Sequence, residues 1–257
     1  MSLLSKVTRC MRTIAPLELA ETSWIMLVSW LFWKKALADP KIGTIVSYHP
    51  PIFRAMKRLT LDDVKQDIVL KAIARGVGIY SPHTACDNCV NGVNDWLASG
   101  LGKGHCKPIT PALDPPEGQE DSGSGRLFTF DEPTQLMTIV ERVKKLIGLP
   151  YLRLATLEKE RLIKTVAICA GSGSSVLGPV KADLYFTGEM GHHDVLAALA
   201  QNTSVILCEH SNTERGYLSA VLKPALEEQL KNEKTTEGES IEVIVSKTDK
   251  ILLRLFK

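Results

Sequence analysis

Residues 204–215 read Ser204-Val205-Ile206-Leu207-Cys208-Glu209-His210-Ser211-Asn212-Thr213-Glu214-Arg215. A continuous β-branched and aliphatic run gives way to a polar cluster, and helical periodicity follows over 213–231. That order is strand, loop, helix. It recurs outward along the chain. Thr165–Cys169 is a strand running into Ala170-Gly171-Ser172-Gly173-Ser174-Ser175. Asp183–Thr187 is a strand running into Gly188-Glu189-Met190-Gly191-His192-His193-Asp194, with a helix over His193–Ala200. Residues 134–147 read as an amphipathic helix and Ile241–Val245 as a last strand. Nearer the N-terminus, Gly43–Ser47 and Val77–Tyr80 are short strands, and 61–75 and Val90–Leu101 are helices, the latter stopped by Gly102. Strands separated by helices imply βαβ units, and runs that are apolar throughout are those of parallel strands buried on both faces. The expected fold is α/β, with mostly parallel sheets flanked by helices.

Residues 107–126 are dominated by Pro, Gly, Ser and acids, with little to bury. They predict a flexible linker between an N-terminal lobe, 1–106, and a C-terminal lobe, 127–257. With 31 basic and 29 acidic residues the formal charge is +2, so no cationic excess argues for direct nucleic-acid binding. Six cysteines are too few for a disulfide scaffold and suit a reducing compartment. The apolar run Trp24–Trp33 would rise about 15 Å as a helix, half a bilayer core, so no membrane span is expected. Ala36-Leu37-Ala38 resembles a signal-peptide cleavage site, but Glu18 and Glu21 sit where a basic leader belongs. The expected compartment is the cytoplasm, with nucleus and mitochondrion left open.

Polar residues gather after the predicted strands. Five of the six histidines fall in four such segments, and in open α/β sheets ligands bind outside the carboxyl ends of the strands. His210 and Glu214, four apart across a strand-to-helix junction, can reach one cation, and nitrogen with carboxylate oxygen suits Zn, Mn, Fe, Co or Ni. The competing reading is a capping box, Ser211 at the N-cap and Glu214 three residues on. Asp87 alone reads equally well as a helix cap. Cys86-Asp87-Asn88-Cys89 matches a redox or half-zinc CxxC, and the Gly171–Gly173 stretch matches either an anion-binding nest or a plain turn.

Taken together, five segments resemble one family. They are Ile45–Phe53, Val77–Thr84, Cys169–Ser174, Ala182–Met190 with His192-His193, and Glu209–Leu218. The chain resembles the NGG-one-interacting factor three family in its Nif-three-like branch, whose bacterial relatives are labelled GTP cyclohydrolase one type two homologues. The resemblance implies a two-lobed α/β fold, a dinuclear metal site between the lobes and a toroidal homohexamer. By position, His49, Asp87, His210 and Glu214 match the metal ligands, with Asp87 bridging two divalent ions. His83, Glu189, His192 and His193 match the pocket-lining segments and are the candidate proton-moving residues.

Two departures stand out. Tyr48 occupies a place where many bacterial members have a second histidine. The N-terminal lobe is shortened between about residues 24 and 36 relative to the family pattern. The function implied is a metal-dependent hydrolase acting on a small nucleotide-like or phosphorylated substrate. The alternative is a metal-stabilised interaction protein that partners a transcription regulator.

Overall fold

A computed structural model describes residues 3–15, 37–232 and 241–246. The apolar run Trp24–Trp33 and the shortened stretch near 24–36 lie outside the described residues. Two compact units form, Met1–Cys86 with Ser219–Lys257, and Asp87–Leu218.

In the first unit, α1 (Leu3–Ile14) buries Val7, Cys10 and Met11 along one face. Strands β1 (Thr44–Val46) and β2 (Gly78–Tyr80) pair in parallel, Ile45 opposite Ile79. A parallel pair needs a crossover, and α2 (Val64–Ala74) supplies it. Asp63 caps α2, its carboxylate accepting from the Lys65 and Gln66 N–H groups at 2.9 and 3.0 Å. Those two donors would otherwise lack an intrahelical partner. Ile68, Ala72, Val77 and Leu37 form the core of this layer, with Ile42, Ile45 and Ile79 packed on it. Residues 241–246 take no regular secondary structure, so the expected last strand does not form.

The second unit begins within α3 (Thr84–Asn88), continues through α4 (Val93–Ser99), and is built on a six-stranded sheet. Its strands are β3 (Gly104–Pro111), β4 (Gly123–Gln135), β5 (Arg153–Ala155), β6 (Leu162–Ser172), β7 (Leu184–Glu189) and β8 (Ser204–Leu207). They lie in the order β3-β4-β6-β7-β8-β5. The middle strands β6, β7 and β8 are parallel, and they are the continuous apolar runs of the sequence. The flanking pairs β3–β4, β4–β6 and β5–β8 are antiparallel. The sheet is therefore mixed rather than mostly parallel. Helices α5 (Leu136–Ile147), α6 (Ser174–Leu177), α7 (His192–Ala200) and α8 (Asn212–Tyr217) connect or follow these strands. Helix α5 ends at Gly148, whose φ of 68° gives the left-handed stop that glycine adopts at least cost. After α8, a π-helical turn, Leu218–Leu222, leads into α9 (Lys223–Asn232) in the first unit.

The expected linker at 107–126 is instead most of a β-hairpin. Lys107 pairs with Leu127, Thr110 with Ser124, and Pro111 with Gly123. Its composition misleads for a physical reason. Strand β3 is a sheet edge, where Pro108 and Pro111 need no outward ladder donor and the exposed face needs no apolar residues. The loop itself is held by Gln119, whose Oε1 accepts from the Val90 N–H at 2.8 Å. Arg126, 1% exposed, anchors β4. Its guanidinium pairs with Asp95 at 2.5 Å and donates to the carbonyls of Gly123, Gly125 and Cys89 at 2.6, 2.9 and 3.1 Å. The unit boundaries consequently fall at 86/87 and 218/219 rather than at 107–126. Among the described residues, no helix is long and apolar enough to cross a membrane.

Candidate metal centre

Strands β6, β7 and β8 run parallel, so their carboxyl ends share one edge of the sheet, where α/β ligands bind. Three loops meet there at backbone contact. At Gly188, after the core of β7, an added Cβ would lie 2.6 Å from the Gly171 carbonyl and 2.8 Å from His210 Cα. Glycine is required for that approach. Beyond β8, Glu209 turns the chain with φ of 68°, its N–H donating to the Gly188 carbonyl at 2.8 Å and its carboxylate meeting Arg153 at 2.9 Å. A non-glycine residue in that region is held there by its surroundings. The turn sets His210 beside the β7 end.

His210 lies between two carboxylates. Its Nε2 is 3.2 Å from Glu214 Oε1, and its Nδ1 is 2.9 Å from Glu189 Oε1. Ser211, at the start of α8, makes no side-chain cap bond, so the capping-box reading of Glu214 fails. Glu214 turns to the histidine instead and is 5% exposed. Thr213 holds this junction together, its Oγ1 accepting from the Gly171 N–H at 2.9 Å and donating to the His210 carbonyl at 2.7 Å. Burial opposes a charged imidazole at His210, but hydrogen bonds and charge from Glu214, then Glu189, outweigh it and raise His210 to about 9. Burial raises Glu214 as well, while His210 draws it down. In the metal-free protein the carboxylates thus favour a proton on the imidazole, which a bound metal would replace.

A metal fits this donor set. Imidazole nitrogen and carboxylate oxygen 3.2 Å apart are within the span of two bonds of about 2.1 Å to one ion. The space beside them is kept clear by Gly171, which sits at a bulge in β6 with φ of 64°. A Cβ there would be 3.0 Å from both Glu214 Oε1 and His210 Nε2. The Gly171–Gly173 stretch is not an anion nest, because the Gly171 N–H is spent on Thr213 and the Gly173 N–H on the Glu189 carbonyl.

The first unit holds its own cluster. His49 follows β1 and is 3% exposed, and the Ser47 hydroxyl donates to its carbonyl at 2.7 Å. Tyr48 and His49 meet edge-on with ring centroids 4.9 Å apart, and His49 and His83 are 5.3 Å apart. Phe53 closes on His83 at 6.1 Å. His83 has φ of 45°, and its N–H donates to the Tyr48 carbonyl at 2.9 Å, which draws the two loops together.

The remaining candidates are placed as follows. Asp87 is half-buried on α3, and Gly92 rather than Asp87 stands at the start of α4, so Asp87 does not cap that helix. Its carbonyl accepts from Asn94 Nδ2 at 3.0 Å, and the same side chain accepts from the Ala170 N–H at 2.8 Å. Asn94, 1% exposed, thus ties the Asp87 helix to the end of β6. Nothing in the sequence marks it, since an asparagine inside a helix pattern reads as a surface residue. His192 and His193 are exposed in the first turn of α7, their rings 5.6 Å apart. None of the six cysteines is in a disulfide. Cys86 and Cys89 are fully buried, and burial, with Asp87 and Asp95, pushes the Cys89 thiol up to about 12, the reverse of a redox nucleophile.

A family model described as Duf34/NIF3 (NGG1p interacting factor 3) matches residues 34–250. The chain is 43% identical over 241 residues to the protein NIF3 homolog of Schizosaccharomyces pombe, covering 91% of this chain and 85% of that one. It is 41% identical over 221 residues to NGG1-interacting factor 3 of Saccharomyces cerevisiae, covering 82% and 73%. Among solved structures, a Bacillus cereus protein related to NIF3 superposes with a TM-score of 0.71 at 17% identity, over 89% of this chain and 92% of that one. That last likeness is one of fold.

Proposed function

We propose that this chain, which belongs to the Duf34/NIF3 (NGG1p interacting factor 3) family, binds divalent metal and hydrolyses a small nucleotide-like or phosphorylated substrate. One observation carries the reading: His210 Nε2 and Glu214 Oε1 converge at the carboxyl ends of the parallel strands, beside a glycine that leaves their shared side open. The proposed ligand set is His49, Asp87, His210 and Glu214, with Asp87 bridging two ions of the Zn, Fe, Mn, Co or Ni class. Such ions, when bound, supply an acidified water and a Lewis acid for a phosphoryl or ring-carbon centre. The protein does the rest. Glu214 brings a buried charge, Thr213 fixes the turn that aims His210, and Gly171 excludes a side chain from the position. His83, His192 and His193 are proposed to move protons to and from substrate, the usual general acid–base role of histidine. Tyr48, a neutral phenol, would be a poor ligand, so one metal would be bound weakly or completed by water. Self-association as a homohexamer in the cytoplasm belongs to the same proposal.

Elemental analysis of the purified protein, of His49→Ala and of His210→Ala, beside a panel of nucleotides and phosphoesters, tests it. The expected result is metal in the parent, loss in both variants, and turnover that follows metal. Unchanged metal in both variants refutes the ligand set. Full metal occupancy with no turnover across the panel refutes the hydrolase. The second reading, a metal-stabilised partner of a transcription regulator, is favoured by the name of the Saccharomyces cerevisiae relative, an interacting factor. In that case Asp87→Ala weakens self-association, while partner binding survives in any folded variant.

A further inference from the structure

We infer that Glu189 is a positioning residue that sets the tautomer of His210. The inference rests on the metal-binding reading above and deepens it. Glu189 ends β7, its backbone paired with Ser172 of β6, so its side chain starts from a fixed point of the sheet. Its Oε1 lies 2.9 Å from His210 Nδ1. A neutral imidazole has one N–H, and an ionised carboxylate only accepts. Glu214 Oε1 stands 3.2 Å from Nε2, so in the metal-free ring both nitrogens face a carboxylate; once a metal takes the Nε2 lone pair, the proton stays on Nδ1, where Glu189 accepts it. The opposite tautomer would direct an N–H at Glu214 and offer no lone pair to a metal. A carboxylate behind a ligating histidine also raises its basicity, and losing such a partner costs roughly 10–100-fold in metal affinity.

This assigns Glu189 a different task from the general base its sequence position suggests. Its carboxylate is engaged on the ring whose other nitrogen faces the candidate ion. The two roles part experimentally. Removing a base stops turnover and leaves metal affinity alone, whereas removing the positioning residue weakens the metal.

Zinc affinity is measured by competition with a chromogenic chelator for the full chain, Glu189→Ala, Glu189→Leu and Glu189→Gln. The expected results are a loss of about 10–100-fold for Ala and Leu. Gln, whose amide oxygen still accepts from Nδ1–H, should hold zinc more tightly than either. In parallel, long-range 1H–15N correlation of the zinc-loaded parent should show His210 protonated at Nδ1 and metallated at Nε2. Circular dichroism verifies the fold of each variant, and the correlation spectrum needs no variant at all. Parental affinity in Ala or Leu, or a proton on Nε2 in the loaded parent, overturns the positioning role alone. A parent that takes up no zinc overturns the metal reading and this inference with it.

Discussion

Replacing Gly171 by alanine adds one methyl group at the position that the metal reading requires to be empty. The structure gives two separate costs. The first is conformational: φ of 64° is left-handed, and an L side chain there costs about 1–2 kcal/mol. The second is steric. The new Cβ would lie 3.0 Å from Glu214 Oε1, 3.0 Å from His210 Nε2 and 3.1 Å from His210 Cε1. These are side-chain ends, so a shift of a few tenths of an ångström relieves the clash, and the fold survives. The metal has no such escape, because the methyl occupies the side the two donors share.

Gly148 supplies the control. Its φ is 68° and an added Cβ meets nothing within 4 Å, so Gly148→Ala carries the conformational cost without the steric one. Urea unfolding in chelator should show both variants destabilised, each by about 1–2 kcal/mol. Adding zinc at 100 times its Kd should then stabilise the parent and Gly148→Ala by about 2.7 kcal/mol and Gly171→Ala by nothing. Elemental analysis should agree. Gly171→Ala that binds zinc with parental stoichiometry and gains the same stability refutes the argument that this glycine keeps a metal position open.

Other outcomes follow from the same structure. Glu214→Gln, which keeps shape and removes charge at a buried position, should fold and lose its metal, and retained metal in elemental analysis contradicts the ligand assignment. Arg126→Ala should cost about 3 kcal/mol in urea unfolding, because it removes the cation beside Asp95 and a donor to four backbone carbonyls; a loss under about 1 kcal/mol would mean water replaces it. Asp63→Ala should cost about 1 kcal/mol by exposing two α2 donors, read as a fall in melting temperature. Maleimide at pH 7.5 should label Cys106, an exposed residue, but slowly, because partial desolvation of the sulfur and then Asp95 push its thiol up to about 11. It should spare Cys89 and Cys208, each buried with a thiol near 12, until the protein unfolds. Mass spectrometry of the labelled peptides decides.

The parallel centre of the second unit was readable in advance, because β6, β7 and β8 are buried on both faces and must be apolar throughout. The pairing of His210 with Glu214 was readable too, from four-residue spacing across a strand-to-helix junction. The hairpin was not. An edge strand tolerates Pro108 and Pro111, and β4 is fixed by a buried arginine, so the hydropathy of 107–126 resembles a loop. Gly171 and Gly173 misled in the other direction, since a glycine pair after a strand marks phosphate loops and close backbone packing alike. Only the partners of their N–H groups tell the two apart. Asn94 and Thr213 gave no signal, because their importance lies in contacts with residues 76 and 42 positions away.

Arg126 has a consequence for the order of folding. The hairpin from Gly104 to Gln135 contains its own register, yet its guanidinium finds Asp95 and the Cys89 carbonyl 31 and 37 residues upstream. Until α4 and the turn before it have formed, that charge remains in water and β4 cannot be covered without a desolvation penalty of several kcal/mol. Closing so long a loop is entropically slow relative to a local turn. An excised 104–135 peptide is therefore expected to stay unstructured, and mutations in α4 should slow the acquisition of this edge of the sheet as much as mutations within the hairpin itself.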